Sequence, residues 1–181
     1  MLNAAVLITE PAPLNAVVTS TNITCNGAAN GTITISSPVG GYGTYDFNIG
    51  AGWVPTGSFT NLIPGTYVVS MRDRAHPLCV KVFAPNTVIT EPAVLSATVS
   101  STNVTCFGAN NGTITFSSPA GGYGTYSYSI NGGTTWQISP NFTGLGTATY
   151  DIRIRDAANT TCIIALPQIT ITQPAVLSAT V

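Results

Sequence analysis

The chain has 181 residues, and only five are basic and six acidic, which gives a net charge of -1. A nucleic-acid partner is therefore excluded, because binding phosphates requires clustered Lys and Arg. Hydrophobic residues make up 44% of the chain, but Thr, Ser, Asn and Gly interrupt them, and no run reaches the roughly 18 apolar residues of a membrane span. We expect no insertion into a membrane.

Strands are predicted by an alternation of apolar and polar residues with a period of two. In chain order, the first half predicts strands at residues 14–18, 33–35, 45–49, 67–71 and 79–89. Asn-Gly and Gly-Gly pairs mark turns between them, and helical periodicity is absent from the sequence. About six or seven short strands in 80 residues indicate an all-β fold, specifically an Ig-like antiparallel β-sandwich.

The same pattern then returns. Residues 9–49 align without gaps with residues 90–130, with 29 identities in 41 pairs. A period of this length is that of a whole domain and not of a solenoid repeat, so the sequence predicts a tandem array. The predicted divisions are the last strand of a preceding repeat at 1–8, complete repeats at 9–89 and 90–171, and the first strand of a following repeat at 172–181.

Four cysteines are placed equally in the two repeats. Cys25 and Cys79 are 54 residues apart, and Cys106 and Cys162 are 56 apart. Equal placement predicts one disulfide within each repeat, Cys25–Cys79 and Cys106–Cys162, and hence an oxidising compartment. Each bond would close about 55 residues and stabilise the repeat by about 4 kcal/mol. Metal binding is the alternative, but the chain has a single histidine, His76, and no Cys-x-x-Cys pair.

A cysteine motif carries a resemblance to a known family. Cys-x-Gly-x-x-x-Gly-x-Ile starts at Cys25 and again at Cys106, and Gly-Gly-Tyr-Gly follows at residues 40–43 and 121–124. The chain resembles the SprB-type repeats of Bacteroidota gliding and cell-surface adhesins. The resemblance implies very large extracellular proteins that the type IX system exports, and it implies neither catalytic residues nor cofactors.

One carboxylate recurs near the end of each repeat, at Asp73 and Asp156. Either residue caps a turn by accepting backbone N–H groups, or the two help to bind calcium. Calcium requires several oxygen ligands, and the sequence contains no Asp-x-Asp-x-Asp run. The sequence therefore favours the turn cap.

The aromatic candidates for ligand binding lie in and near the segment that differs most between the repeats. Trp53 and Tyr42, with their counterparts Trp136 and Tyr123, are the residue types that stack on sugar rings. The alternative is that each Trp covers a small core, and this core-lid interpretation is the one the sequence favours.

These features predict a non-enzymatic structural stalk of a bacterial surface adhesin, with neighbouring repeats of the same chain as partners. A carbohydrate-binding module that recognises surface glycans through Trp53 and Trp136 is one alternative. The other is an extracellular filament, in which the terminal strands at residues 2–8 and 177–181 pair with identical chains.

Overall fold

The computed structural model of the chain describes residues 9–179. This range forms strands, turns and loops without any helix, so the all-β prediction is confirmed. No helix in the described range is long and apolar enough to cross a membrane. The terminal strand predicted at residues 2–8 lies outside the described residues, and the one at 177–181 shows no strand as far as residue 179.

The strands occur in the same order in both repeats. The first repeat contains β1 (Asn15–Thr21), β2 (Gly31–Val39), β3 (Tyr45–Asn48), β4 (Ser58–Leu62), β5 (Gly65–Tyr67), β6 (Ser70–Asp73), β7 (Val80–Val82) and β8 (Thr87–Ile89). The second contains β9 (Ser96–Thr102), β10 (Gly112–Ala120), β11 (Tyr126–Ser129), β12 (Asn141–Leu145), β13 (Ala148–Tyr150), β14 (Arg153–Asp156), β15 (Ile163–Ala165) and β16 (Ile169–Ile171).

Each repeat builds three small antiparallel sheets. Their strand orders are β1-β2-β4, β3-β6-β7 and β5-β8 in the first repeat, and β9-β10-β12, β11-β14-β15 and β13-β16 in the second. The first two sheets of each repeat contribute side chains to one core, an arrangement compatible with the predicted Ig-like sandwich.

The cores follow the predicted alternation. In β2, Ile33 and Ile35 are buried with Phe47 of β3 and Met71 of β6. The second repeat buries the corresponding side chains of β10, β11 and β14 in a core of its own. Since fully burying one such side chain stabilises a fold by about 1.5–3 kcal/mol, these inward positions account for most of the favourable energy.

Two predicted strands are in fact pairs of strands in different sheets. The alternation over residues 67–71 spans β5 and β6, and the strand predicted at 79–89 divides into β7 and β8. The amide of Phe83 donates to the Val69 carbonyl at 2.9 Å. The β5–β6 and β7–β8 segments therefore run side by side where they cross from one sheet to the other. Alternation continues through the crossing, which is why it does not reveal the break. The sequence also missed β4, in which only Phe59 and Leu62 pack against the core.

The chain divides into two compact units. Within the described range, the first unit comprises residues 9–23 together with Ala28–Glu91, and the second comprises Thr24–Gly27 and residues 92–179. The first unit is closed where the Ile23 amide donates to the Thr90 carbonyl at 3.0 Å. Four residues of the first sequence repeat, Thr24–Gly27, thus belong to the second unit.

Candidate functional site

The disulfide of this chain joins Cys25 to Cys162. The predicted bonds within each repeat are therefore wrong, and Cys79 and Cys106 are free and exposed. The physical reason is the position of Thr24–Gly27 in the second unit, which brings the Cα atoms of Cys25 and Cys162 to 5.3 Å. The bond closes 137 residues, for which the loop-entropy relation gives about 5 kcal/mol.

Thr24–Gly27 is held within the second unit by polar and apolar contacts. The side-chain amide of Asn26 donates to the Pro92 carbonyl at 3.0 Å. Cys25 packs against the second core, and Cys162 is only 7% exposed. A cavity of about 240 Å³ remains beside the bond, lined by residues 24–26, 92–95, 122 and 161–164. The disulfide therefore lies on a surface that Thr24–Gly27 and the sheet edge form together.

The first unit has a surface that corresponds to the one around Cys162, but within the described residues no segment equivalent to Thr24–Gly27 lies on it. Residues 11–14 and 79–81, with Gly41 and Tyr42, line a cavity of about 330 Å³. All of these except Tyr42 have counterparts among the residues that line the cavity beside Cys162. We call the two surfaces the Cys79 seat and the Cys162 seat.

Asp73 and Asp156 organise the loops beside these seats. Asp73 is fully buried; its Oδ1 accepts the amides of Ala75 at 2.8 Å and His76 at 3.1 Å, and its Oδ2 accepts the Tyr42 amide. Asp156 accepts the three corresponding amides. The turn-cap prediction is confirmed, with the addition of a clamp on a distant loop.

These backbone hydrogen bonds are relevant to the alternative that Asp73 and Asp156 bind calcium. The Tyr42 amide, and then those of His76 and Ala75, stabilise the ionised carboxylate, so the pKa of Asp73 lies below its usual value despite burial. The carboxylate oxygens are engaged by backbone donors. Within residues 9–179, no three His, Cys, Asp or Glu side chains are grouped closely enough to hold a metal ion.

The Gly-Gly-Tyr-Gly motif is explained by the same clamp. Gly41 has φ +56°, and a Cβ added there would lie 2.5 Å from the Asp73 carboxylate. In the second repeat, Gly122 has φ +58° and the same separation from Asp156. A side chain at either position would push the loop off its aspartate, so glycine is required.

The two tryptophans pack under arginines. The Arg72 guanidinium lies 4.7 Å from the ring centroid of Trp53, and that of Arg155 lies 4.4 Å from Trp136. The side chains that pack against the cores in the described range include neither Trp, so the core-lid prediction is wrong. One face of each indole is covered by a guanidinium, in an arrangement that stabilises both groups.

The proposed sugar-stacking residues have different neighbours. The Tyr42 ring lies 4.2 Å from the ring of His76, whereas Trp53 contacts Arg72. Tyr42 and its counterpart Tyr123 are both more than half exposed. Sequence reasoning missed the cation–π pairs, although Arg72 and Arg155 each precede the recurring aspartate in equivalent strands, β6 and β14.

A carboxylate distinguishes the first arginine site from the second. Asp46 accepts Arg72 at 3.0 Å and Arg74 at 2.8 Å. Burial raises the pKa of Asp46, but hydrogen bonds and charge from the two arginines outweigh it, so the pKa lies below its usual value. In the second repeat Ser127 takes this place and accepts Arg155 at 2.8 Å.

Comparison with known families finds one match in each repeat. The SprB repeat family model matches residues 17–52 and 98–135, which contain the Cys25 and Cys106 motifs and both Gly-Gly-Tyr-Gly loops. A search of curated proteins gives no match. The SprB repeat is a structural repeat family and not an enzyme family, and its members occur in cell-surface proteins. Two regions of the chain, which contain the repeated cysteine motif, are thus similar to the SprB repeat.

Proposed function

We propose that the chain is a non-enzymatic, extracellular part of a stalk in a large bacterial surface protein, which holds an adhesive region away from the cell. The observation that carries this proposal is the Cys25–Cys162 bond. It supports an oxidising location, because such bonds persist outside the cytosol. Adhesion, gliding motility and type IX export are proposed from the character of the family.

The mechanism is mechanical. When the two ends of the chain are pulled apart, tension follows the shortest covalent path, which runs through the disulfide. The residues between Cys25 and Cys162 lie inside the closed loop and bear no load. Hydrogen bonds among the strands inside the loop are protected, whereas β1, β15 and β16 lie outside it, and the bonds that pair them with β2, β14 and β13 bear the load. A stalk built in this way resists extension without requiring a highly stable domain.

Single-molecule stretching tests this mechanism. The chain is tethered by its two ends and pulled to full extension, with and without a thiol reductant. Reduction should lengthen the fully extended chain by about 450–490 Å, because the bond spans 137 residues and each extended residue adds about 3.3–3.6 Å.

A matched variant completes the experiment. The double substitution Cys25→Ser with Cys162→Ser should reach the full length without reductant and show no response to it. If reduction left the extended length of the wild-type chain unchanged, the stalk mechanism would be wrong.

A further inference from the structure

The Cys79 seat has the backbone geometry of the Cys162 seat. The amide of Asp73 donates to the Cys79 carbonyl at 3.1 Å, and that of Asp156 donates to the Cys162 carbonyl at 3.0 Å. The loop contacts agree as well, since Gly41 donates to Ala12 at 2.8 Å and its counterpart pair measures 2.9 Å. The first unit therefore presents its thiol in the position from which Cys162 binds Cys25.

The Cys79 seat is open. Its cavity measures about 330 Å³, against about 240 Å³ at the Cys162 seat, where residues 24–26 form part of the wall. Cys79 is exposed, whereas Cys162 is buried. Leu14 in the Cys79 seat is only partly buried, whereas its counterpart Leu95 is 6% exposed. An apolar surface with a free thiol is thus left uncovered where the second unit is covered.

The segment that would cover it exists in the same chain. Residues 105–108 repeat the conformation of Thr24–Gly27: φ is 74° at Gly108 and 76° at Gly27. The Thr105 hydroxyl lies 3.9 Å from the Cys106 sulfur, as the Thr24 hydroxyl lies 3.8 Å from that of Cys25. Cys106 is free and exposed. The segment is therefore already shaped for a seat that its own unit does not supply.

One substitution in this segment suits the open seat. Phe107 replaces Asn26 and is 58% exposed. Asn26 lies against Pro92 in the Cys162 seat, and Pro11 is the counterpart of Pro92 in the Cys79 seat. Phe107 would lie on Pro11, so apolar burial would replace the hydrogen bond that Asn26 makes.

We propose that residues 105–108 of one copy of this chain dock on the Cys79 seat of a second copy, and that Cys106 and Cys79 form a disulfide that joins the copies head to tail. The template is the Cys25–Cys162 bond, which joins the same two surfaces within one chain. The inference does not depend on the adhesive function, because it concerns only the two thiols and the surfaces around them.

The bond forms by thiol–disulfide exchange with a small disulfide such as oxidised glutathione. The Cys106 thiolate attacks one glutathione sulfur, which gives a mixed disulfide and releases one glutathione thiolate. The Cys79 thiolate of the second copy then attacks the Cys106 sulfur and displaces the second glutathione. Two protein thiols are oxidised, one glutathione disulfide is reduced, and the two protons pass to the released thiolates.

Two single variants test the pairing. Cys79→Ser retains Cys106, and Cys106→Ser retains Cys79, so neither can extend beyond a dimer. The variants are mixed in equal amounts with glutathione buffer, and the products are separated without reductant and mapped as peptides. We expect the Cys79–Cys106 heterodimer to exceed each homodimer by about twentyfold, whereas random pairing gives twofold; this tenfold excess over random pairing corresponds to a docking preference of about 1.4 kcal/mol. Wild-type chain should form a ladder of oligomers.

A matched pair of surface variants separates docking from simple thiol reactivity. Val80 lines the Cys79 seat, whereas Val82 is similarly exposed on the same strand and lies outside it. In the Cys106→Ser background, Val80→Asp should lower the heterodimer yield to that of random pairing, and Val82→Asp should leave it unchanged.

Several results would overturn the proposal. They are a statistical mixture of homodimers and heterodimers, a monomer with an internal Cys79–Cys106 bond, or no joining under conditions in which Cys25–Cys162 forms. A Cys25–Cys79 bond in the peptide map would remove the template and overturn it as well. The first three results leave the stretching prediction for the single chain unchanged, so they overturn the docking proposal alone. A Cys25–Cys79 bond would also remove the Cys25–Cys162 bond on which the stretching prediction rests.

Discussion

In the second unit, Cys162 is 7% exposed and bonded to Cys25, whereas in the first unit Cys79 occupies the same place and is exposed. The strands, turns and aspartate clamps around the two cysteines correspond residue by residue. The difference is the presence of Thr24–Gly27, which the preceding sequence repeat contributes. The second unit thus includes a segment of the preceding sequence repeat, and the repeat of the sequence is offset from the unit of structure.

The covering segment also changes the packing beneath it. Leu95 in the second unit is 6% exposed and belongs to the buried core, whereas its counterpart Leu14 is only partly buried. Both leucines line their seats. The second unit should therefore gain stability from both the covalent bond and the added apolar burial.

The largest expected effect on this difference between the units comes from removing the Cys25–Cys162 bond. Cys25→Ser with Cys162→Ser should lower the free energy of unfolding of the second unit by about 2–5 kcal/mol, because the unfolded chain is released from a large closed loop. Urea unfolding followed by Trp136 fluorescence in a Trp53→Phe background reports on the second unit alone.

The control for this prediction also removes two sulfurs. Cys79→Ser with Cys106→Ser affects only free and exposed thiols, so the unfolding curve should not move. Equal losses in the two double variants would show that the Cys25–Cys162 bond has no special role in the second unit.

The next test concerns a feature that the units share. Asp156→Ala removes the acceptor of the Tyr123, Ala158 and Asn159 amides. Leaving these donors unsatisfied should lower the free energy of unfolding of the second unit by about 2 kcal/mol. Asp156→Asn, which retains one oxygen, should lose less, and an equal loss in the two variants would contradict the clamp. The measurement is again urea unfolding with Trp136 fluorescence.

The substitution with the smallest predicted effect converts the first arginine site into the second. Asp46→Ser imitates Ser127, so the Arg72 guanidinium keeps an acceptor but loses a charged one. We expect a loss of about 1 kcal/mol in the first unit at neutral pH, typical of a partly exposed ion pair. Urea unfolding followed by Trp53 fluorescence measures it.

The stability that Asp46 contributes depends on pH. Folding lowers its pKa below 3.8, so the carboxylate contributes stability above that pH, and the contribution disappears as the pH falls through the lower pKa of the folded state. The gap between wild type and Asp46→Ser should therefore close below pH 3.8. Asp151→Ser removes the more exposed Arg153 pair and should change stability little at neutral pH. A gap that persisted in acid would rule out the ion pair as its cause.

The strands and the inward positions of β2 and β10 could be predicted, because alternation reports directly on which side chains face a core. The disulfide could not. Internal repetition fixes the position of each cysteine within a repeat, but a shift of the partner by one whole repeat leaves the pattern unchanged. Cys25 has equally suitable partners by sequence in Cys79 and Cys162, and the choice depends on where Thr24–Gly27 packs.

The aspartate clamp could be predicted only in part, because one of its three donors is distant in the sequence. A turn cap is local, and Asp73 precedes its Ala75 and His76 donors in the sequence. The third donor, Tyr42, is 31 residues away and approaches only because Gly41 lets the loop pass close to the carboxylate. The glycines of the motif were visible in the sequence, but the residue that they approach was not.

The closed loop has a consequence for damage to the chain. A protease that cuts the backbone once between Cys25 and Cys162 leaves two fragments that are still joined by the disulfide. Exposed turns such as those around Gly43 and Gly124 can therefore be nicked without releasing anything distal to the cut. Only a second lesion, either reduction of the bond or a cut outside the loop, severs the chain, so one bond makes most of its length tolerant of a single break.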